Sequence, residues 1–524
     1  MYNILVSDSM SETGLAPLLD AENVNVTRQK AAETEDLGVY DALLVRSATK
    51  VTAELLKKMP RLKIIGRAGV GVDNIDVNEA TKRGIIVINA PDGNTISTAE
   101  HTFAMIASML RNIPQANASV KDGKWERNRF LGSELYGKSL GIIGMGRIGT
   151  ELAKRAAAFG MNLHVFDPYL TKSRAEKIGV TPGTLEEVLE TADIITVHTP
   201  LTRDTKGLLN METLGRTKPG VYIANCARGG IIDEEALVHY LEDGHVAGAA
   251  FDVFVEEPPA GHPFLEYDQV IMTPHIGAST KEAQLLVAEQ VSKEVLQFLE
   301  GLPVKSSINL PALSKDVFTK IEPFYRLSKT MGTILSQCMK EPVQEVEISY
   351  AGEIADLETS VVTRSLLSGF LKPRVDSPVN EVNAAVIAKE RGISFSEKIN
   401  SSSQGYSNLI EAIVHGEGSS FFIRGTFIKE YGPRILNLNG FEIDFYPQGN
   451  LLYVQHSDRP GVIGKVGNIL GEHGVNIATM QVGRKQAGGD AIMMLSFDRP
   501  LEDELVKELD NIEYITSVRK IEVE

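Results

Sequence analysis

The sequence predicts an α/β protein: two doubly wound parallel-sheet domains in succession, then an α+β intervening domain and a small closing βαββαβ domain. Three observations predict it. Short β-branched runs alternate with helical stretches, twice over, before Glu300, as strands buried on both faces do. One of those runs leads into a glycine-spaced turn that opens a helix. The end of the chain reads strand, helix, strand, strand, helix, strand.

In the first series, strands are expected over residues 4–6, 42–46, 64–67 and 85–89, with helices over 53–59 and 78–82. A long helix is expected over 98–111 with Ser97 or Thr98 as its N-cap. The polar stretch 121–129 follows and carries the single tryptophan, Trp125. The second series starts at Ser139, with strands over 140–143, 163–166, 194–198, 221–225, 247–252 and 270–273 and helices such as 185–190 and 234–241. Apolar positions at helical spacing predict a long helix over 280–299, ending at Gly301 and crossing back to the first domain.

The expected boundaries are therefore 1–97 together with 281–313, then 98–280, 314–447 and 448–524. In the third segment 343–350 and 419–427 read as strands and 379–391 as helix, with no chemical motif. In the last, strands over 451–456, 477–483, 491–497 and 515–523 and helices over 462–473 and 502–509 follow the order of a ferredoxin-like fold.

Composition narrows the function. The 524 residues are too many for one core, and 43% hydrophobic with 23% charged residues is a soluble globular balance. Lys and Arg number 53 against 69 Asp and Glu, a net charge of −16 with no basic block, so nucleic acid is not an expected partner. Two cysteines, Cys226 and Cys338, without metal-ligand spacing point to a reducing compartment and to no metal site. The N-terminus runs straight into an apolar strand with no basic segment before it, and no run approaches ~18 apolar residues. Neither a signal peptide nor a membrane partner is expected, and the location expected is cytoplasmic.

The strand over 140–143 leads into Gly144-Met145-Gly146-Arg147-Ile148-Gly149, and a helix follows. In that context the first glycine makes the tight turn and the second lets a pyrophosphate approach the backbone. The third lets helix and strand pack closely, and the helix N-terminus faces the phosphates of a dinucleotide in a Rossmann domain. Asp167 ends the next strand, where an acidic residue accepts from the adenosine ribose and repels a 2′-phosphate, which favours NAD over NADP.

Hydride removal from a 2-hydroxy acid needs a cation for the carboxylate, an acceptor for the hydroxyl proton, and a group that tunes the acceptor. Arg228, after the strand over 221–225 and beside two glycines, can grip a carboxylate bidentately. His275, after the strand over 270–273, has an imidazole suited to proton exchange near its ordinary pKa of ~6.5. Either Glu256 or Glu257 can orient it; spacing alone does not separate the two. Other histidines, among them His101, His164, His239 and His262, are given no catalytic part.

Together the strings 66–76, 121–127, 225–234 and 274–280 resemble the D-isomer-specific 2-hydroxyacid dehydrogenases, and the resemblance runs over essentially the whole chain. It implies a flavodoxin-like substrate domain beside the Rossmann NAD domain, and a catalytic set of Arg228, Glu257 and His275, the glutamate being the one before the proline. It implies cofactor contacts from Gly144, Gly146, Arg147, Ile148, Gly149, Asp167, Thr199, Cys226, Ala227, Asp252, Gly277 and Ala278. Arg46, Arg67 and Asn94 match the substrate side of the cleft, and two arginines there suit a phosphorylated acid. The substrate implied is 3-phosphoglycerate, oxidised reversibly to 3-phosphohydroxypyruvate at the start of serine synthesis.

The closing segment resembles an ACT domain, in which His456, Asp458 and Asn476 match the amino-acid-binding region. Serine is the implied effector, although serine-inhibited relatives usually carry an asparagine where Asp458 stands. The intervening domain is implied to bind small anions, and a homotetramer built on paired cofactor domains is the implied assembly. Two other readings compete: an NAD-sensing, non-enzymatic corepressor-like protein, and a dehydrogenase of an unphosphorylated D-2-hydroxy acid.

Overall fold

The computed structural model describes residues 1–523, and among these described residues the strands gather into four sheets. The first is parallel. Its strands β1 (Tyr2–Val6), β2 (Val24–Arg28), β3 (Ala42–Val45), β4 (Ile64–Arg67) and β5 (Ile86–Ile88) lie in the order 2-1-3-4-5. This is the flavodoxin-like order, in which ligands bind beyond the strand C-termini where the order reverses. The edge strand β2 was not expected. It reads Val-Asn-Val-Thr-Arg with no fully buried residue, so it lacks the apolar run that betrays the central strands.

The second sheet is also parallel. It comprises β6 (Ser139–Ile143), β7 (Asn162–Phe166), β8 (Thr181–Pro182), β9 (Ile194–Val197), β10 (Val221–Asn225), β11 (Val246–Phe251) and β12 (Val270–Met272). From one edge they run β8-β7-β6-β9-β10-β11-β12, the Rossmann order with one further strand. The helix Thr95–Leu110 precedes this sheet and starts earlier than expected. Its N-cap is Asn94, because the Thr98 amide already donates to the Asn94 carbonyl and Ser97 Oγ turns back to the same carbonyl.

The helix Lys281–Leu299, capped by Thr280, returns the chain to the first sheet and buries Val287, Ala288, Val291 and Val295 there. Gly66 on β4 permits the approach, since a Cβ at that position would collide with Val291.

The third sheet runs β14 (Ser394–Asn400), β13 (Val343–Gly352), β15 (Asn408–Gly416), β16 (Ser420–Ile428), β17 (Gly432–Leu438), β18 (Phe441–Phe445). Two long helices, Lys315–Cys338 and Thr359–Leu371, cross closely at Gly332 and Gly369 and join this sheet in one core. Neither helix was expected, and the helix expected over 379–391 is shorter, Ala384–Glu390. The first carries Pro323, which argues against a helix where it stands, and the second is buried along most of its length and so lacks a clean amphipathic stripe.

The last sheet, β19 (Gly449–Ser457), β20 (Ile477–Arg484), β21 (Asp490–Phe497) and β22 (Ile515–Val523), is antiparallel in the order β20-β21-β19-β22, as a ferredoxin-like fold requires. Among the described residues no helix is long and apolar enough to cross a membrane.

Candidate active site

The glycine loop connects β6 to the helix Arg147–Ala158. Gly144 has φ 96°, a left-handed value that costs glycine nothing. A Cβ on Gly149 would run into the Gly144 carbonyl, whereas one on Gly146 would meet nothing, so the loop is packed from below and open above. Gly146 and Arg147 are exposed and Ile148 is half-buried. The helix has no side-chain cap, which leaves its first amides available to an anion. Asp167, at the end of β7, braces the turn: Oδ2 accepts the Met145 amide at 2.6 Å and Oδ1 the Tyr169 amide at 2.8 Å.

His275 Nδ1 lies 2.8 Å from Glu257 Oε2, and Glu257 Oε1 accepts the Phe254 amide at 3.1 Å. Glu257 rather than Glu256 is thus the histidine's partner. An ionised carboxylate only accepts, so the ring proton sits on Nδ1 and Nε2 is left to exchange a proton. His275 has φ 51°, an unfavourable region for a residue with a Cβ.

Asp252 holds that turn in place. Its Oδ1 accepts from Thr273 Oγ1 at 2.5 Å and the Ile276 amide at 2.8 Å, and its Oδ2 accepts the Gly277 amide at 2.8 Å. Burial alone would raise the Asp252 carboxyl, but bonds from His101, Thr273 and the two amides outweigh it and hold the group below the usual range. Asp252 was expected among the cofactor contacts; its observed partners are the protein groups that shape the His275 turn. Ala278 follows in the same turn and is exposed.

Arg228 follows β10 on a turn clamped by the buried Asn225, whose Oδ1 accepts the Ala227 amide and whose Nδ2 donates to the Arg228 carbonyl. Its guanidinium donates to the Ala227 carbonyl at 2.7 Å and reaches over the first sheet, Nε 3.3 Å from Asp73 Oδ2. Arg67, at the end of β4, faces the same space. Burial, then the positive charges of Arg228 and Arg46, push its guanidinium below its ordinary value, while Asp73 and Asp8 oppose them. Arg46 is tied by its amide to Asp8 and by Nη1 to the Ser9 carbonyl. The fold thus gathers three arginines, from the residue after β3, the end of β4 and the turn after β10, at one cleft.

Cys226 is buried, which pushes its thiol up to about 12 and leaves it no nucleophilic part. Four buried polar atoms at the cleft have no protein partner: Arg67 Nε, Asn94 Oδ1, Thr98 Oγ1 and Thr199 Oγ1. Such atoms cost about 1–3 kcal/mol each unless something else satisfies them. A polar ligand spanning the cleft fits them, and the open space above Gly146 beside free helix amides fits a pyrophosphate. Sequence reasoning missed Asp73, Asp92, His101 and Asn225. Asp73 and Asn225 lie within strings singled out for the family but were given no part there. Asp73, Asp92 and His101 act through contacts between distant segments, which leave no spacing signal, while Asn225 clamps the turn that follows it.

The expected effector residues are not brought together within the chain. His456 is buried with Nδ1 2.9 Å from the Ser457 carbonyl, and Asp458 Oδ2 accepts from Arg484 Nη1 and the Gly488 amide, both at 3.1 Å. Asn476 instead bonds Asp498 at the other end of the sheet, where Ile477 pairs with Phe497. The separation is roughly 20 Å along the strands. The helix Val462–Glu472 returns the chain to the level at which β19 began before β20 starts, and this produces the separation.

Residues 103–277 match the NAD binding domain of the D-isomer specific 2-hydroxyacid dehydrogenases, 320–439 the D-3-phosphoglycerate dehydrogenase intervening domain, and 451–514 the ACT domain. The chain is 64% identical to a D-3-phosphoglycerate dehydrogenase of Bacillus subtilis over 100% of both chains. It is 43% identical to one of Methanocaldococcus jannaschii, over 99% of this chain and 100% of that one. Among solved structures, a D-lactate dehydrogenase of Aquifex aeolicus complexed with NAD and lactic acid is 31% identical with a TM-score of 0.51. That match covers 57% of this chain and 96% of the other.

Proposed function

The chain belongs to the D-3-phosphoglycerate dehydrogenases, NAD-dependent members of the D-isomer-specific 2-hydroxyacid dehydrogenase family, and from that premise we propose that Arg228, Glu257 and His275 carry out the oxidation. The 2.8 Å bond between His275 Nδ1 and Glu257 Oε2, opposite three convergent arginines, carries the reading.

Arg228 holds the substrate carboxylate and draws electron density from the C2 oxygen. His275 Nε2 takes the C2 hydroxyl proton, and Glu257 stabilises the imidazolium that results. Bound NAD supplies the acceptor for the C2 hydride. In the reverse direction His275 returns its proton to the ketone oxygen. Arg46 and Arg67 hold the phosphate at the far end of the substrate, and Asn94 completes that wall.

The glycine loop with Asp167, Thr199, Cys226–Ala227 and Gly277–Ala278 forms the cofactor groove. Asp167 excludes a 2′-phosphate. Because Asp252 is spent on the His275 turn, its contribution is to position that turn.

The test is NADH formation with 3-phospho-D-glycerate, D-glycerate and D-lactate, in wild type and in Arg46→Ala with Arg67→Ala. The expected result is a preference for the phosphorylated acid that the double variant loses. Equal turnover of the three acids by wild type overturns the assignment of the two arginines. NADH binding without turnover of any acid moves the corepressor-like reading to the front.

Two further parts belong to the same proposal. The protein is a homo-oligomer paired through the cofactor domains, where Ile113, Val120, Trp125, Leu131 and Tyr136 are exposed close together in sequence. Light scattering on the intact chain tests this, and a monomer overturns it. Serine is the effector of the ACT domain, where Arg484 already neutralises Asp458; turnover unchanged by serine removes it.

A further inference from the structure

The first sheet and the helical layer of the intervening domain meet at an interface pinned by two asparagines. Asn380 Nδ2 donates to the Gly84 carbonyl at 2.8 Å and Asn383 Nδ2 to the Lys82 carbonyl at 3.2 Å. Lys82 pairs with Glu390 at 3.3 Å beside them. Next to these contacts the surfaces part around a cavity of about 630 Å³, within the range that holds small organic ligands. It lies on the side of the first sheet away from Arg67 and the cleft, at the N-terminal ends of β3, β4 and β5, and so is separate from the site described above.

The lining is two-sided. Phe298, Leu310, Phe318 and Val361 form an apolar wall. Arg61, Lys63, Arg83 and Arg364 carry four positive charges against the two negative ones of Asp41 and Glu381. Most of these charges are already matched: Arg61 and Lys63 share the buried Asp41 at 3.3 Å each, Arg83 holds Glu79 at 2.7 Å, and Lys329 holds Glu381 at 3.0 Å. Arg364 differs. Among the described residues no carboxylate lies within 4 Å of it, Glu397 acting on its charge only from farther off, and its bonds go only to the Glu381 and Val382 carbonyls at 3.4 and 3.5 Å. A half-buried guanidinium held by two long neutral bonds favours an anion. An apolar wall of this kind orders water poorly and favours a hydrocarbon body.

We propose that this cavity is a second ligand site, which takes a small organic anion with an apolar body and pairs the anionic group with Arg364. The site is built from the first sheet, the segment after the crossover helix and the intervening domain, so no one of these forms it alone.

The test uses the full chain saturated with NADH, so that the nucleotide groove is filled, and the dye 8-anilinonaphthalene-1-sulfonate, an aromatic body bearing one sulfonate. Arg364→Gln removes the charge, and Val361→Trp fills the cavity without touching any charge. Circular dichroism and basal NADH formation check that both variants fold. The expected result is saturable dye fluorescence in wild type, affinity about tenfold weaker in Arg364→Gln, and binding abolished in Val361→Trp. Unchanged affinity in Val361→Trp places the dye elsewhere and overturns the proposal. Unchanged affinity in Arg364→Gln with loss in Val361→Trp overturns the pairing with Arg364. Absence of saturable binding in wild type overturns it as well.

Discussion

Arg147 Nε of the glycine loop lies 2.5 Å from Asp92 Oδ1 on the loop after β5, an ion pair that ties the first sheet to the second across the cleft. Both side chains are more than half exposed, 60% and 65%, so the pair contributes at most about 1 kcal/mol. In the proposed cofactor groove a pyrophosphate would compete with Asp92 for the same guanidinium. Asp92→Asn is therefore expected to tighten NADH binding about two- to fivefold, read by fluorescence titration at low and high salt. Weaker binding would mean that the tie organises the groove rather than competing for it.

The proposed proton acceptor is expected to separate chemistry from cofactor binding. His275→Ala should lower kcat by about 10²–10⁴-fold while NADH affinity stays near that of wild type. Glu257→Gln, which leaves the ring in place but removes the charge behind it, should fall between the two. A near-normal kcat in His275→Ala would remove the histidine from the mechanism.

Asp73 touches Arg228 and not the proposed reacting atoms, which makes it a positioning residue. Asp73→Asn frees the Arg228 fork from one orienting partner. The expected effect is a several-fold rise in the KM for 3-phospho-D-glycerate with kcat reduced less and NADH binding unchanged. An effect on kcat alone would place Asp73 in another role.

Asp252 ties stability to pH. Its carboxyl is held below the usual range in the folded chain, so the stabilisation is present at neutral pH and disappears as pH falls through that lowered value. Asp252→Asn should cost about 2–3 kcal/mol at neutral pH, since a buried charged acceptor of several bonds becomes neutral. The variant should also lose part of the acid-side decline expected of wild type below about pH 4. Denaturant unfolding at pH 7 and at about pH 3 checks both, and equal losses at the two values would contradict the linkage.

Both cysteines are buried, and burial pushes each thiol up to about 12. The native chain is expected to show no thiol reactive toward a disulfide reagent at pH 8, and two after unfolding. Rapid labelling of the native chain would mean that one of the cores opens easily.

The two parallel sheets were legible because their central strands are unbroken apolar runs and periodicity finds such runs directly. Edge strand β2 and the helices Lys315–Cys338 and Thr359–Leu371 were not, because one is half exposed and polar while the others carry an interior proline or are buried nearly all round. Within the site, the glycine loop, Arg228 and His275 stood out because local spacing marks them. The choice of Glu257 over Glu256 rested on resemblance alone, until the 2.8 Å bond to His275 showed which carboxylate meets the ring.

Local order along the chain thus determined the class of fold, the dinucleotide turn and the residue types available for hydride chemistry, since each depends on neighbours within a few positions. The tertiary structure decided the rest. Arg46, Arg67 and Arg228 converge although they stand just after β3, at the end of β4 and on the turn after β10, and Asp73 and Asp92 meet arginines more than fifty positions away. His456 and Asn476 stand apart although they are only twenty positions apart in the sequence. Distance in the folded chain follows from how sheets stack and which way a connecting helix returns, and no local periodicity encodes that.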